Sequence, residues 1–187
     1  MISAAPWAKH TVICKIGTQF RAACSNHAGT GGSAFMSLNL DEQLVASISI
    51  APTVDEIPHV NAWLETLAEA EDWAMRARFG LELSLEEALV NIITHGFKAT
   101  RVTPMIRVDY LHRADGRGAF RIVDNGIAFD PTIASPPALA ANLDEARIGG
   151  HGLRLMRHYL SDLNYTRVGD ENRLTLIAHL KAGEPSA

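Results

Sequence analysis

The period of the hydrophobic pattern changes from about 3.6 residues to 2 close to Gly96. Before that point, across Asp55–His95, apolar side chains recur every three or four residues, as in helices that are buried on one side. From Met105 onward, most segments alternate between apolar and polar residues, as in half-buried strands. One further strand, Leu44–Ile50, precedes the helices. Helices grouped in one part of a chain and hairpins in another predict an α+β fold.

Glycines suggest where the helices end. The first helix is expected over Asp55–Arg78, where Gly80 ends it. The second is expected over Leu83–His95, with Gly96 just after its last turn. We therefore predict a two-layer α+β sandwich, in which a mixed, mostly antiparallel sheet carries the helices on one face. The remaining elements are expected at Met105–Arg113, Ala119–Val123, Gly152–Leu160, Asn164–Val168 and Arg173–Leu180.

The length and charge of the chain exclude several classes of protein. A chain of 187 residues, 47% of them hydrophobic, fits one globular domain, and it contains no apolar run long enough to span a membrane. The formal net charge is −4 and the basic residues do not cluster, which argues against a nucleic-acid partner. The two cysteines, Cys14 and Cys24, are too few for a disulfide scaffold and fit a cytoplasmic protein.

The N-terminal segment 1–35 differs from the rest of the chain. It contains three basic residues but no Asp or Glu, and Gly29–Gly32 lies near its end. This composition is typical of a flexible tail. We expect residues 1–35 to be a flexible or non-native N-terminal extension and residues 36–187 to be the functional domain. A basic, acid-free N terminus also fits an organellar transit peptide, and the composition leaves that alternative open.

The first candidate site lies on the second predicted helix. Glu87, Asn91 and His95 are four residues apart, so they share one polar face of an otherwise apolar helix. The side-chain oxygen of Asn91 could bind Mg²⁺ beside substrate phosphates, and the carboxylate of Glu87 could take a proton from an attacking hydroxyl. Two structural alternatives stay open. Ser84-Leu-Glu-Glu87 also fits a capping box, and His95 could complement the helix dipole.

The second candidate is Asp124-Asn-Gly126, directly after a predicted buried strand. It would place a carboxylate at the edge of the sheet, where an exocyclic amine such as that of adenine could donate to it. Gly126 would allow a flat base to approach closely. An ordinary tight turn is the alternative, because Asp, Asn and Gly are common turn residues.

The third candidate, Gly149-Gly-His-Gly152-Leu153, opens the predicted third helix. Glycines at such a position expose backbone N–H groups to an anion, and the helix dipole favours the negative charge. The alternative is a flexible hinge. Residues 128–148 just before it have weak periodicity, and a loop of that length in a compact domain is usually functional.

In this order and spacing, the three segments resemble the GHKL ATPases: gyrase, the heat-shock chaperone, the histidine kinases and the mismatch-repair ATPase. More narrowly, the chain resembles the anti-sigma-factor serine kinases. The resemblance covers about residues 40–180. It is carried by Glu87-x-x-x-Asn91-x-x-x-His95 together with VDNGIAFDP and IGGHGLRLM. It implies the GHKL (Bergerat) ATP-binding fold.

The resemblance also implies roles for individual residues. Glu87 would be the catalytic general base, Asn91 would hold Mg²⁺, and Asp124 would bind the adenine amine. Residues 130–148 would form a lid over ATP. The family often has a Thr near the nucleotide in the last hairpin, and this chain has no clear match for it, since Thr175 lies one register too late. The ATP-binding set would be Asn91, His95, Asp124, Gly126 (beneath the base), Phe129, Gly150 and Gly152 (at the phosphates), and Leu153.

The function implied is that of an ATP- and Mg²⁺-dependent serine/threonine protein kinase that is also an anti-sigma factor. Its substrate would be a small antagonist protein, and a sigma factor would be a second partner. A homodimer is expected, with no nucleic acid or membrane partner. Two alternatives remain: a histidine-kinase-like ATP-binding module that acts with a separate partner, and a non-catalytic ATP-dependent binding module. Two features argue against the histidine-kinase alternative. The carboxylate at Glu87 favours attack by a hydroxyl or water, and His59, the candidate phospho-accepting histidine, is not followed by an acidic residue.

Overall fold

The computed structural model describes residues 12–13, 41–98, 102–133 and 152–182. A 3₁₀ turn at Val54–Glu56 precedes the first helix, and a single π-helical turn at Ile92–Gly96 follows the second. The described strands and α-helices are β1 (Val12–Ile13), β2 (Glu42–Ile50), α1 (Ile57–Ala70), α2 (Met75–Asn91), β3 (Ile106–Arg113), β4 (Gly118–Asp124), α3 (Gly152–Tyr159), β5 (Asp162–Val168) and β6 (Glu171–Ala178).

The strands form one sheet in the order β1-β2-β3-β4-β6-β5, and every pairing among these strands is antiparallel. Alternate residues of the strands pack against the helices in one core. Tyr110 and Phe120 stack there with ring centroids 4.9 Å apart, and Trp63 and Trp73 cover Phe120 edge-on. The predicted two-layer α+β sandwich with helices on one face is thus confirmed. None of the described helices has the length and apolar character that crossing a bilayer requires.

The predicted helix boundary at Gly80 is wrong. The break lies earlier, between Ala70 and Met75, where Asp72 has a φ of 52°. Helix α2 continues through Gly80, which is buried against α3. A Cβ at this position would lie only 2.5 Å from the Cβ of Tyr159. Gly80 therefore serves close helix–helix packing, and this contact with a distant residue outweighs the weak helix propensity of glycine.

Two residues of the N-terminal segment take part in the sheet. Val12 pairs with Ser47 and Ile13 with Ala46, so β1 extends the edge of the sheet beside β2. The rest of residues 1–35 lies outside the described part of the chain. The division between an extension and a functional domain stays a prediction.

Glu71 holds the link between α1 and α2 against the sheet. Its carboxylate accepts hydrogen bonds from the hydroxyl of Tyr110 (2.5 Å), the imidazole of His112 (3.0 Å) and the indole of Trp73 (3.2 Å). Burial by itself raises the pKa of Glu71, but the hydrogen bonds from Tyr110, Trp73 and His112 outweigh it and hold that pKa below the ordinary value of 4.5.

We expect Glu71→Gln to lower the free energy of unfolding by about 1–2 kcal/mol near neutral pH, because it replaces charge-assisted hydrogen bonds with weaker ones. An acid with a depressed folded-state pKa stabilises the fold above its unfolded-state pKa, and that stability is lost as the pH falls through the folded value. The difference between parent and variant should therefore shrink below about pH 4. Urea unfolding of parent and variant near neutral pH and below about pH 4 measures this difference in stability. Glu69→Gln, at the exposed end of α1, is the control, and a pH-independent difference for Glu71→Gln would contradict the explanation.

Candidate functional site

A cavity of about 330 Å³ opens between the end of α2, the end of β4 and the start of α3. Such a concave, mainly apolar space with a few convergent polar groups is typical of a small-molecule site. The polar residues among the described lining are Glu87, Asn91, His95, Asp124, Tyr165 and Asn172. Its apolar lining includes, among the described residues, Ala88, Ile92, Gly96, Ile127, Ala128, Phe129, Pro131, Leu153, Met156 and Leu174.

Most of the predicted site residues meet at this cavity, although they come from three separate segments. Gly126 is not among the lining residues, although it lies two residues beyond Asp124, and Gly152 opens α3. Gly150 and most of the predicted lid, residues 134–148, lie outside the described residues. The predicted residues that line the cavity are Glu87, Asn91, His95, Asp124, Phe129 and Leu153.

Glu87 and Asn91 are in direct contact. The amide nitrogen of Asn91 donates to Glu87 Oε1 at 3.1 Å, so the Asn91 oxygen is the atom left to bind a cation. Where residues are described, no group of three or more His, Cys, Asp or Glu side chains could hold a metal ion. A magnesium ion at Asn91 would therefore need most of its oxygen ligands from bound phosphate and water, which is the arrangement that Mg²⁺ commonly adopts.

The capping-box interpretation of Glu87 is wrong. A capping serine stands immediately before the first helical turn. Ser84 is instead buried inside α2, which begins at Met75, and its hydroxyl donates to the carbonyl of Gly80 at 2.6 Å. Glu87 thus has no capping role in this helix.

His95 lies in the π-helical turn that ends α2. Its Nδ1 is 3.2 Å from the ammonium of Lys98. Because an ammonium group can only donate, Nδ1 must act as the acceptor, which places the ring hydrogen on Nε2. Turns of π-helix occur frequently at functional sites.

Asp124 is buried at the end of β4, with 4% of its surface exposed. Its Oδ1 accepts two hydrogen bonds of 2.9 Å, one from the Gly126 N–H and one from the amide nitrogen of Asn172. Burial raises the pKa of Asp124, and the hydrogen bonds from Asn172 and Gly126 oppose that rise. Both donors reach Oδ1, so Oδ2 is the oxygen available to a molecule in the cavity.

Gly126 joins this turn to the end of α2. The carbonyl of Gly96 accepts a hydrogen bond of 2.8 Å from the Ile127 N–H, which brings the two backbones together. A Cβ on Gly126 would lie 2.6 Å from that carbonyl oxygen, closer than real Cβ contacts allow. The glycine is therefore required by backbone packing, independently of any ligand.

We expect Gly126→Ala to lower the free energy of unfolding by roughly 1–3 kcal/mol, because backbone must shift to admit the methyl group. Gly96→Ala is the matched control, since the only close contact of its Cβ among the described residues would be the Ile92 side chain at an ordinary 3.5 Å. Urea unfolding of both variants makes the comparison. Equal stability of the two variants would contradict the packing role.

Two polar residues of the site escaped sequence analysis. Asn172 lies directly opposite Asp124 in the pairing of β4 with β6, and Tyr165 reaches it from β5. The last strand was expected to begin at Arg173, which left Asn172 outside it, whereas β6 begins at Glu171 and the turn is Gly169–Asp170. Thr175 lies opposite Arg121, away from the cavity lining. Strand register decides these positions, and no local signal in the sequence reveals it.

Comparisons with known proteins find similar sequences and similar structures. The model of the histidine kinase-like ATPase domain matches residues 50–178. The serine/threonine-protein kinase BtrW of Bordetella bronchiseptica is 45% identical over 117 residues, which cover 63% of this chain and 81% of that protein. The solved RsbU and RsbW domains of a Mycobacterium tuberculosis protein align over 72% of this chain with a TM-score of 0.50 and 15% identity. This likeness shows a common fold, and the present chain spans about a third (32%) of that structure. A histidine kinase domain from Erythrobacter litoralis aligns over 68% of this chain and 60% of its own, with a TM-score of 0.43 and 14% identity.

Proposed function

Because the chain belongs to the histidine kinase-like ATPase domain family, we propose that it is an ATP- and Mg²⁺-dependent serine/threonine protein kinase. Its substrate is a small antagonist protein, and it acts as an anti-sigma factor toward a second partner. The observation that carries the proposal is the meeting of Glu87, Asn91 and Asp124 at one cavity. The naming of BtrW, a 45% identical relative, as a serine/threonine-protein kinase supports it.

In this proposal, Asp124 binds the adenine base. The exocyclic amine donates to Oδ2, while Oδ1 stays bonded to Gly126 and Asn172. The apolar wall of the cavity is suited to a flat aromatic ring. Phe129, whose surface is 59% exposed although it lines the cavity, offers a ring that a bound base could cover.

The phosphates lie toward α2 and α3. Asn91 presents its side-chain oxygen to Mg²⁺, which neutralises charge on the phosphates when it is bound. His95 offers an Nε2–H donor at the same side of the cavity. We assign Gly150 and Gly152 to the phosphates on the sequence pattern alone, and the loop 130–148 to a lid.

Glu87 acts as the general base in this scheme. Its carboxylate takes the proton of the attacking Ser or Thr hydroxyl, and the amide of Asn91 holds Oε1 in place at 3.1 Å. The rest of the rate enhancement comes from positioning and charge neutralisation, as is general for phosphoryl transfer. A homodimer remains part of the proposal.

Incubation of the full chain with γ-labelled ATP and candidate antagonist proteins tests the proposal. We expect Mg²⁺-dependent labelling of the partner at Ser or Thr, stable to acid and abolished by a chelator. Acid-labile labelling of a partner histidine would favour the histidine-kinase-like alternative. Tight ATP binding without transfer to any partner would favour a non-catalytic module.

A further inference from the structure

Asn172 is a buried polar residue at the base of the cavity, with 5% of its surface exposed. Its amide nitrogen donates to Asp124 Oδ1 at 2.9 Å and to the carbonyl of Ile127 at 3.0 Å. Its oxygen accepts from the Tyr165 hydroxyl at 2.8 Å and from the Arg167 guanidinium at 2.6 Å. Both ends of the amide are therefore saturated by the protein itself.

These contacts determine which way the amide faces. A guanidinium can donate but never accept, so the atom of Asn172 next to Arg167 must be the oxygen. Arg167 is exposed on β5, but it is also anchored to the carbonyl of Gly126 at 3.3 Å. The amide nitrogen must then point at Asp124 and Ile127, and a flipped amide would leave two donors facing each other.

The fixed amide in turn orients the carboxylate of Asp124. Two donors, the Asn172 amide and the Gly126 N–H, hold Oδ1. Among the described residues no hydrogen bond reaches Oδ2, and Oδ2 is not one of the buried atoms left without a partner. Because Asp124 lines the cavity, Oδ2 is the oxygen that the described residues leave to accept from a molecule bound there.

We propose that Asn172, held by Tyr165 and Arg167, is a positioning residue that presents Asp124 Oδ2 as a pure acceptor and so selects a base with an exocyclic amine over one with a carbonyl at the same position. The proposal rests on the proposed ATP site and deepens it. A carbonyl at that position would place two acceptors face to face, which is unfavourable in a desolvated site. The selection depends on the hairpin β5–β6 as much as on Asp124.

The test compares ADP with IDP, which has a carbonyl where ADP has the amine, by calorimetry on the full chain. Asn172→Asp keeps the size and the acceptor for Tyr165 and Arg167 but places a second carboxyl against Asp124. The variant has no fixed amide donor to hold Oδ1, so either carboxyl can carry the proton that the pair shares and the Asp124 carboxyl is free to turn. Asp124 can then present a hydroxyl to the base as well as an acceptor. We expect the ADP-over-IDP preference to fall at least about tenfold, mainly through loss of ADP affinity.

Asn164→Asp is the matched control. It is also an Asn-to-Asp change beside a carboxylate, because Asn164 on β5 donates to Asp162 at 3.2 Å. Asn164, however, does not line the cavity. The ADP-over-IDP preference of Asn164→Asp should equal that of the parent. A purely structural role of Asn172 would weaken ADP and IDP equally, and an unchanged ratio in Asn172→Asp would overturn the proposal.

If Asn172→Asp does not fold, Tyr165→Phe decides. It removes one donor to Asn172 and keeps the ring that lines the cavity, so the preference should fall about threefold, and an unchanged ratio would overturn the positioning role. A parent chain that binds neither nucleotide would instead contradict the proposed function. Binding of ADP by the parent, with its preference over IDP unaffected by both variants, would leave that function intact and refute only the role of Asn172.

Discussion

Glu87→Gln is expected to bind Mg-ATP as tightly as the parent and to transfer the phosphoryl group roughly 10²–10⁴-fold more slowly, the usual contribution of a positioned base. Glutamine keeps the size of the side chain and an oxygen that can accept from Asn91. It cannot take a proton from an attacking hydroxyl. Binding and rate should therefore separate in this variant.

The fold gives no reason for a stability change in Glu87→Gln, because Ser84 lies inside α2 and no capping box exists. Glu86→Gln is the matched control: it is the same change one residue earlier, on an exposed side chain that does not line the cavity. Asn91→Ala should differ from both, losing Mg²⁺-dependent affinity as well as rate. Single-turnover phosphorylation of an identified partner provides the measurement. A parental rate in Glu87→Gln would show that Glu87 is not the base.

Asp124→Asn is expected to lose most of its ATP affinity while the fold stays intact. The oxygen of the new amide would keep the two donors that now reach Oδ1. Its NH₂ group would then occupy the place of Oδ2 and meet the adenine amine donor to donor. Leaving such groups unpaired costs roughly 1–3 kcal/mol, or about a tenfold to hundredfold loss of affinity.

The stability of Asp124→Asn should equal or slightly exceed that of the parent near neutral pH. Burial raises the pKa of Asp124, so the ionised side chain is disfavoured in the folded state, and a neutral amide avoids that penalty. Calorimetric titration with ATP and urea unfolding measure the two effects. Asp170→Asn, in the exposed turn at the same end of the sheet, is the control. Near-parental ATP affinity in Asp124→Asn would refute the adenine contact.

Several elements could be predicted from the sequence because their signals are local. The helical spacing of apolar residues indicated two helices, although it extended the first to Arg78, past the end of α1 at Ala70. Alternation placed β2 to β6 to within a few residues. The polar spacing of Glu87, Asn91 and His95 likewise follows from the helical repeat alone. These features depend on residues that are close in the chain, so the order of residues determines them.

The rest was decided by contacts between distant residues. Gly80 has the appearance of a helix breaker in the sequence, yet it lies within α2 because Tyr159 packs against it. Ser84 and Glu87 have the spacing of a capping box, but the helix had already begun at Met75. Such errors arise because a local pattern cannot show what packs against it from elsewhere.

The sequence by itself determined the α+β class, the polar face of α2 and the presence of a carboxylate after a buried strand. Only the tertiary structure brought Asp124, Asn172 and Tyr165 together, since the register of β4 on β6 and of β5 on β6 sets which side chains are opposite each other. A shift of one residue in that register would turn Asn172 to the other face of the sheet. The polar network at the base of the cavity is therefore a property of strand pairing, which depends on the packing of the whole sheet.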